Sequence, residues 1–225
     1  MAYVKKKQGS KQEVAYQKIK EAILKNEYEP DTMLLEGNLC AALGFSRTPV
    51  REALRRLASE GFVEFVPEKG TFVPRIRLED LIEIYDVREA LEGMAARVCA
   101  LKGDEKVVAK LEEIVNSLYD DLVKGEKSQS VREDMEFHNV IIKGCNNSRL
   151  EAFLKTMIDQ INRFAATTVN DNERLKISYT EHKKVLDAIK NKDADMAEKA
   201  IREHIRSVKE YQIKRHYHYN YMLNG

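Results

Sequence analysis

Three histidines and one aspartate occupy inward-facing positions of helical segments in the second half of the chain. Asp134 and His138 are four residues apart, so one face of a helix carries both. His182 lies one turn before an apolar stripe that ends at Ile189, and His204 lies within the apolar stripe of the last helical segment. The spacing therefore predicts that three imidazoles and one carboxylate point into a common helical core.

These four side chains have the composition of a transition-metal site. Each histidine taken alone is better explained as a core residue that one hydrogen bond satisfies. Taken together, their burial requires a partner for every nitrogen, and a metal ion supplies it. Three nitrogens and one oxygen suit one Zn²⁺ or Ni²⁺ ion per chain and leave coordination positions for an outside ligand. The sequence contains no HExxH motif, and no glutamate is obviously placed as a general base beside these ligands.

Residues 44–62, GFSRTPVREALRRLASEGF, predict a second chemistry. Apolar residues recur at helical spacing through this stretch and define an inward face. Pro49 fits only in the first turn of a helix, where its missing N–H is not needed. We therefore expect the helix to begin here, with Ser46 or Thr48 as its cap.

The polar and basic side chains of this helix gather at its N-terminal end. Arg47, Thr48 and Arg51 lie in the first turns, and Arg55 follows Arg51 one turn later. A recognition helix enters the major groove by its N-terminal residues, where arginine pairs with guanine and hydroxyls and free amides hold phosphates. A solvated face of an ordinary amphipathic helix is the alternative, and any single arginine would favour it. The combination with helix-turn-helix spacing favours double-stranded DNA as a partner.

Three helices and a hairpin are predicted before residue 75. The helices are expected at residues 13–26, at residues 35–43 and from the Pro49 turn onward. The segment FVEFVPEKGTFVP that follows has two strand-like runs around a tight turn. Together these elements form the outline of a winged helix-turn-helix, in which Lys69 and Gly70 at the hairpin tip are candidates to contact the DNA backbone or minor groove.

The remainder of the chain predicts a helical bundle. From Leu78 onward there is no proline, and Gly and Asn clusters separate segments of helical length, so about six helices with short connections are expected. The predicted fold is mainly α, with an N-terminal winged helix-turn-helix of three helices plus a β-hairpin joined to an all-α antiparallel helical bundle. We expect a polar tail at 1–12, the winged domain at 13–74, a linker at 75–77, the ligand- and metal-binding domain at 78–215 and a C-terminal tail at 216–225.

Charge and cysteine content restrict the class of protein. The formal net charge is only +1, but residues 1–77 carry an excess of four positive charges and the rest an excess of three negative ones. The basic part is thus the part predicted to bind DNA. Three widely separated cysteines without CxxC spacing suit a reducing compartment. No long apolar run predicts a membrane span, so we expect a cytoplasmic protein at the bacterial nucleoid.

The segment LLEGNLCAALGFSRTPVREALRRLASEGFVEFVPEKGTFV resembles the DNA-binding domain of GntR-family transcription regulators. The resemblance implies that residues 47–49 and Arg51 lie at the DNA surface and that Gly70 lies at the tip of the wing. Family members commonly have an arginine directly after the glutamate that matches Glu36, whereas this chain has Gly37. This departure bears on which operator sequence is bound. It does not change the prediction that the domain binds DNA.

The second half resembles the FCD ligand-sensing domain of the FadR subfamily over residues 78–212. The similarity is carried by RLEDLIEIYDVREALEGMAA, DMEFH and EHKKVLDAIKNKDADMAEKAIREHI. It implies that Asp134, His138, His182 and His204 hold a metal and that a small carboxylate effector, a sugar acid or an organic acid, binds at or beside it. Arg88 lies on the inward side of its helix and is a candidate to hold the effector; an internal salt bridge to a neighbouring helix explains it equally well.

These observations predict a metabolite-responsive bacterial transcription regulator, not an enzyme. We expect a repressor that binds a two-fold related operator as a homodimer, because one recognition helix covers only a few base pairs. One alternative is a metal-dependent hydrolase or lyase with a nucleic-acid-binding appendage. A second alternative is a direct metal sensor. The sequence leaves open whether the dimer forms through the bundle or by exchange of winged domains.

Overall fold

A computed structural model describes residues 10–75, 77–124, 130–165 and 172–224 of the chain. The chain divides into two compact units, with the main division between residues 76 and 77. The predicted fold class is confirmed: a small two-stranded sheet accompanies the N-terminal helices, and the rest of the described chain is helical.

The first unit is a winged helix-turn-helix. One apolar core joins the inward faces of its three helices to Phe62. These faces carry Ile19, Leu39 and Leu54. Burial of these side chains on one face of each short helix is the main source of their stability. Its elements are α1 (Lys11–Leu24), α2 (Glu36–Leu43), α3 (Arg47–Ser59), β1 (Glu64–Val66) and β2 (Gly70–Phe72).

The first helix begins and ends two residues earlier than predicted. The Ser10 side chain accepts a hydrogen bond from the backbone N–H of Glu13 at 3.2 Å, so the helix is capped within the stretch predicted to be a tail. Between α2 and α3, Gly44 has a φ of 68° and closes α2 in the left-handed conformation. Glycine adopts this conformation without strain, which permits the sharp turn of the motif.

The hairpin is paired to a third segment that the sequence reading did not include. β1 and β2 are antiparallel, with Glu64 opposite Phe72 and Val66 opposite Gly70. On the other side of β2, the backbone N–H of Leu34 donates to the carbonyl of Thr71 at 2.8 Å. This pairing anchors the wing to the chain that precedes α2. Gly70 is the first residue of β2, directly after the turn.

The second unit contains six helices in its described residues, in agreement with the prediction of about six. The last helix continues to Asn224 and so includes most of the predicted C-terminal tail. The first and last helices of the unit are antiparallel, as the ion pairs Arg206–Glu89 and Arg97–Glu198 show. The helices are α4 (Leu78–Lys102), α5 (Glu105–Lys124), α6 (Ser130–Gly144), α7 (Ser148–Ala165), α8 (Asn172–Lys190) and α9 (Ala194–Asn224).

The core of this unit surrounds the predicted histidine cluster. Phe137 and Ile141 of α6, Ile189 of α8 and Ile201 of α9 are fully buried. Each lies within one or two turns of a histidine on its own helix. No helix in the described part of the chain is long and apolar enough to cross a membrane.

Candidate metal centre and DNA-binding surface

The N-terminal end of α3 is a polar, solvent-exposed surface. Arg47, Thr48, Arg51 and Arg55 are exposed, and Pro49 in the first turn is half-buried. The exposed guanidinium of Arg47 lies beside a helix N-terminus, a combination that favours binding of an anion such as a phosphate.

The expected cap of α3 is absent from the described residues. Ser46 occupies the N-cap position in an extended conformation, but its hydroxyl makes no cap hydrogen bond, and Thr48 lies inside the helix rather than before it. Ser46 thus has the predicted position, but the prediction that a side-chain hydrogen bond from Ser46 or Thr48 caps the helix was wrong. Because no side chain satisfies the first amides of α3, these amides have hydrogen-bonding capacity for an acceptor from outside the chain.

Arg51 is oriented by a carboxylate of the preceding helix. Its Nε lies 2.9 Å and 2.8 Å from the two Oε atoms of Glu36. The pairing engages the Nε of Arg51. The neighbouring Gly37 is exposed and has open space around it. At the hairpin, Lys69 and Gly70 are also exposed.

The four predicted metal ligands converge in the second unit. One ligand atom from each of Asp134, His138, His182 and His204 lies within 4.8 Å of the others. The three histidines are at most 3% exposed, whereas the side chain of Asp134 is 36% exposed. The cluster is therefore open to solvent on the Asp134 side.

Glu92 of α4 fixes the orientation of the His138 ring. The carboxylate is fully buried and lies 2.5 Å from Nδ1 of His138 and 2.6 Å from Nε of Arg88. Burial alone would raise the pKa of Glu92, but the charges of Arg88 and His138 outweigh it and lower the pKa to about 2. Glu92 is thus a carboxylate that can accept a hydrogen bond from Nδ1–H of His138.

Arg88 is 7% exposed and its partner lies on its own helix. An internal salt bridge was the alternative to effector binding, although a partner on a neighbouring helix was expected. The Nε of Arg88 donates a hydrogen bond to Glu92. The main effect of Arg88 is therefore to stabilise the anionic form of that carboxylate. Its guanidinium carbon also lies 5.4 Å from the ring centre of Tyr85.

A second arginine–glutamate pair orients His204. Glu181 of α8 lies 2.9 Å from Nδ1 of His204 and 2.9 Å from an Nη atom of Arg174. The second Nη of Arg174 donates to the Ser207 hydroxyl at 2.9 Å. Two of the three histidines are thus held by the same arrangement, a carboxylate on Nδ1 that is itself paired with an arginine.

These hydrogen bonds determine which nitrogens can bind a metal. If Nδ1 of His138 and of His204 each carries the proton shared with its carboxylate, both Nε2 atoms bear lone pairs. The two Nε2 atoms lie 3.1 Å apart, and two lone pairs at this distance repel unless a cation lies between them. Zn–N bonds of about 2.0–2.1 Å put two adjacent ligand nitrogens about 3.0–3.4 Å apart. The donor set therefore fits a divalent transition-metal ion.

His182 is the ligand without a carboxylate on its ring. It is fully buried, and neither ring nitrogen has a hydrogen-bond partner in the described residues; the contact of Nε2 with Asp134 Oδ1 is 3.5 Å long. The ring stacks on Phe137 with 4.2 Å between centroids. Burial, followed by the charges of His204 and His138, lowers the pKa of His182 well below its usual value. Burial likewise lowers the pKa of His204, although the hydrogen bond to Glu181 opposes it.

Sequence reasoning predicted the four side chains that converge here but not the carboxylates that contact their rings. Glu92 follows Arg88 by four residues, and this spacing on an inward face was an available signal. Glu181 could not be assigned, because it precedes His182 in sequence yet binds His204 from another helix.

Comparison with known proteins identifies both units. Residues 11–73 match the gntR family of bacterial regulatory proteins, and residues 83–207 match the FCD domain. An HTH-type transcriptional regulator from an unstable DNA locus of Streptomyces ambofaciens is 29% identical, over 86% of this chain and 81% of its own length. The gluconate operon transcriptional repressor of Bacillus licheniformis is 26% identical, over 83% of this chain and 78% of its own length.

A solved structure has the same fold. Escherichia coli McbR/YncC superposes with a TM-score of 0.71 at 24% identity and covers 91% of this chain and 99% of its own. The matched families and relatives are transcription regulators, not enzymes.

We expect Glu92→Gln to weaken metal binding by about 10- to 100-fold, because the amide no longer accepts the Nδ1 proton of His138 as a charged partner. Metal affinity is measured by competition with a chromophoric chelator. Glu89→Gln is the matched control, since Glu89 lies on the same helix and pairs with Arg206 at the surface. Circular dichroism checks the fold of both variants. Equal affinities for the two variants would contradict the orienting role of Glu92.

Stability of the metal-free protein should decrease as the pH falls below about 6.5. The unfolded chain binds protons on its histidines there, while the buried rings of His182 and His204 remain neutral because their pKa values are lowered. Each histidine that stays neutral in the folded state lowers the free energy of unfolding by up to about 1.4 kcal/mol at pH 5.5. Urea titrations between pH 5.5 and 8 measure this slope. His182→Gln should flatten it, and an unchanged slope would be inconsistent with a neutral His182.

Proposed function

This chain belongs to the GntR family of bacterial regulatory proteins and carries an FCD domain, and we propose that it is a metabolite-responsive repressor. It acts in the cytoplasm as a homodimer on a two-fold related operator. A small carboxylate effector binds at a metal site in the helical domain and changes operator affinity. The observation that carries the proposal is the convergence of one carboxylate and three buried imidazoles on a single point.

The DNA-binding role rests on the exposed end of α3. Arg47, Thr48 and Arg51 lie together beside free helix amides, and Glu36 holds Arg51 in one orientation. A guanidinium held through Nε presents its two Nη groups to a base edge, which suits paired recognition of guanine O6 and N7. Arg55 and Lys69 extend the basic surface and are assigned to the phosphate backbone.

The sensing role rests on the open coordination positions of the proposed ion. Asp134, His138, His182 and His204 would hold one Zn²⁺ or Ni²⁺, which would supply Lewis-acid binding of a carboxylate oxygen. The exposed side of Asp134 is the route of entry. The named relative that represses a gluconate operon favours a sugar acid or another hydroxy acid as the effector class.

We propose that Arg88 contributes to effector binding through the positive charge of its guanidinium, which favours a carboxylate. Its Nε donates to Glu92, and a guanidinium carries further N–H donors on its two Nη atoms. A tenfold change in operator affinity requires a coupling of only about 1.4 kcal/mol between effector and DNA. Small rearrangements of a buried ion-paired network are sufficient for this energy.

A direct metal sensor is the second candidate function. The Glu92 and Glu181 pairs with histidine favour tight, pre-oriented metal binding, and this is also what a sensor requires. The two functions differ in what alters operator affinity when the free metal concentration is held constant. An effector-responsive repressor then changes its operator affinity with added carboxylate, whereas a metal sensor changes it only with the metal concentration.

Arg51→Ala should weaken specific operator binding by about 1–3 kcal/mol and relax the preference at one base position in each half-site. Fluorescence anisotropy against the selected operator and scrambled DNA measures both effects. Arg56→Gln is the control, because Arg56 lies on the same helix but pairs with Glu13 and Glu60. Unchanged operator affinity in the Arg51 variant would remove this residue from the recognition surface.

His182→Ala should lose the bound metal and the response of operator affinity to carboxylates while retaining DNA binding, because the mutation lies in the helical domain. Metal content is measured by elemental analysis of protein purified without chelator, and operator affinity is measured with a panel of sugar acids at buffered free Zn²⁺ or Ni²⁺. His216→Ala, outside the cluster, is the control. Stoichiometric metal in the His182 variant would contradict the proposed site.

A further inference from the structure

Two acidic side chains of α5 and α6 have buried oxygen atoms without hydrogen-bond partners. Asp121 of α5 is 6% exposed, and its Oδ2 is buried with no partner among the described residues. Glu133 of α6 has one such oxygen, Oε2, in the same part of the chain. Native proteins satisfy nearly all buried polar atoms. Two unsatisfied carboxylates on helices that pack together therefore indicate a partner from outside the chain.

Ser117 brings the two carboxylates to one place. Its hydroxyl donates a hydrogen bond to Oε1 of Glu133, so the Glu133 side chain reaches α5. Asp121 follows Ser117 by four residues in α5, and helix positions with this spacing have Cβ atoms about 5–6 Å apart. Both carboxylates are thus neighbours of one hydroxyl. A serine hydroxyl that donates one hydrogen bond retains lone pairs that can bind a cation.

Asp121 occupies a core position of α5. The buried row of this helix includes Leu111, Ile114 and Leu118, and Asp121 continues it at the same helical spacing. The other members of the row are apolar. An ionised carboxylate at such a position is costly unless an opposite charge accompanies it. A cation beside Asp121 would supply that charge.

We propose that Ser117, Asp121 and Glu133 form a cation site that binds Mg²⁺ or the chemically similar Mn²⁺. All three ligands are oxygens, which suit these hard ions, whereas the imidazoles of the histidine cluster suit Zn²⁺ or Ni²⁺. Mg²⁺ is typically bound by one or two carboxylates and keeps several of its waters. Glu133 as a whole is half-buried, which leaves a side of the ion for water. The two negative charges balance one divalent ion.

The site lies apart from the histidine cluster although Glu133 and Asp134 are adjacent in sequence. Consecutive residues of an α-helix point about 100° apart. Asp134 faces His182, with 3.5 Å between Oδ1 and Nε2, whereas Glu133 contacts Ser117 of α5. The site is independent of the proposed function, because none of its three ligands belongs to the histidine cluster.

A larger occupant is disfavoured by the burial of the two oxygens. A lysine or arginine of another protein would have to displace core side chains to reach Oδ2 of Asp121. An ion bound between the two carboxylates requires only rotation of their side chains. The small size of the ion therefore fits the site better than a macromolecular partner does.

The first test counts the Mn²⁺ ions bound by the zinc-loaded protein, using the loss of the EPR signal of free Mn²⁺. We expect one Mn²⁺ per chain that excess Mg²⁺ displaces. Asp121→Asn should bind Mn²⁺ at least about tenfold more weakly, because the ligand charge falls. Asp120→Asn is the matched control, since it removes the same charge from the adjacent, exposed position. No bound Mn²⁺ in the wild type, or equal affinity in the Asp121 variant, would overturn the site.

The second test is thermal unfolding with and without millimolar Mg²⁺. Without Mg²⁺, Asp121→Asn should not lower the Tm, because it removes a buried charge that has no partner. With Mg²⁺, the Tm of the wild type should rise and that of the variant should not, since only the folded wild type binds the ion. A variant that is less stable than the wild type by the same amount in both conditions would show a structural role for Asp121 and contradict the site. Circular dichroism checks that both proteins fold.

His182→Ala distinguishes this site from the histidine cluster. The variant lacks one imidazole of the cluster but retains the three oxygen ligands. Unchanged Mn²⁺ binding in this variant is expected, and it would support the oxygen site even if the histidine cluster held no metal. Loss of Mn²⁺ binding in His182→Ala would assign the ion to the histidine cluster and overturn the separate site.

Discussion

The second unit depends on how its buried nitrogens are satisfied. Three imidazoles in an apolar bundle lose their hydration, and their charged forms are disfavoured there. Glu92 and Glu181 satisfy Nδ1 of two rings, which directs the lone pairs of both Nε2 atoms to one point. The carboxylates are in turn stabilised as anions by buried or half-buried arginines. The rings of His138 and His204 thus each depend on a carboxylate that depends on an arginine, and the repulsion between the two Nε2 atoms remains for a cation to remove.

This dependence explains what could be predicted from the sequence. A metal ligand must lie on the inward face of its helix, so apolar periodicity places Asp134, His138, His182 and His204 toward the core, and the resemblance to the FCD domain implies that these four form one set. The residues that orient the ligands are determined by which helices become neighbours. Glu181 serves a histidine of α9 although another histidine follows it directly in sequence. Periodicity carries no information on such contacts between helices.

The first unit shows the same limit on a smaller scale. Alternation and turn residues predicted the hairpin, because its two strands are adjacent in sequence. They did not predict that the segment at Leu34 pairs with β2 at Thr71, since this pairing joins residues on opposite sides of two helices. The cap of α3 was predicted from residue type alone, and Ser46 takes the expected position without the expected hydrogen bond. Helix amides without a side-chain cap can accept a phosphate as their partner, and residue type alone does not indicate which of the two partners a helix end will have.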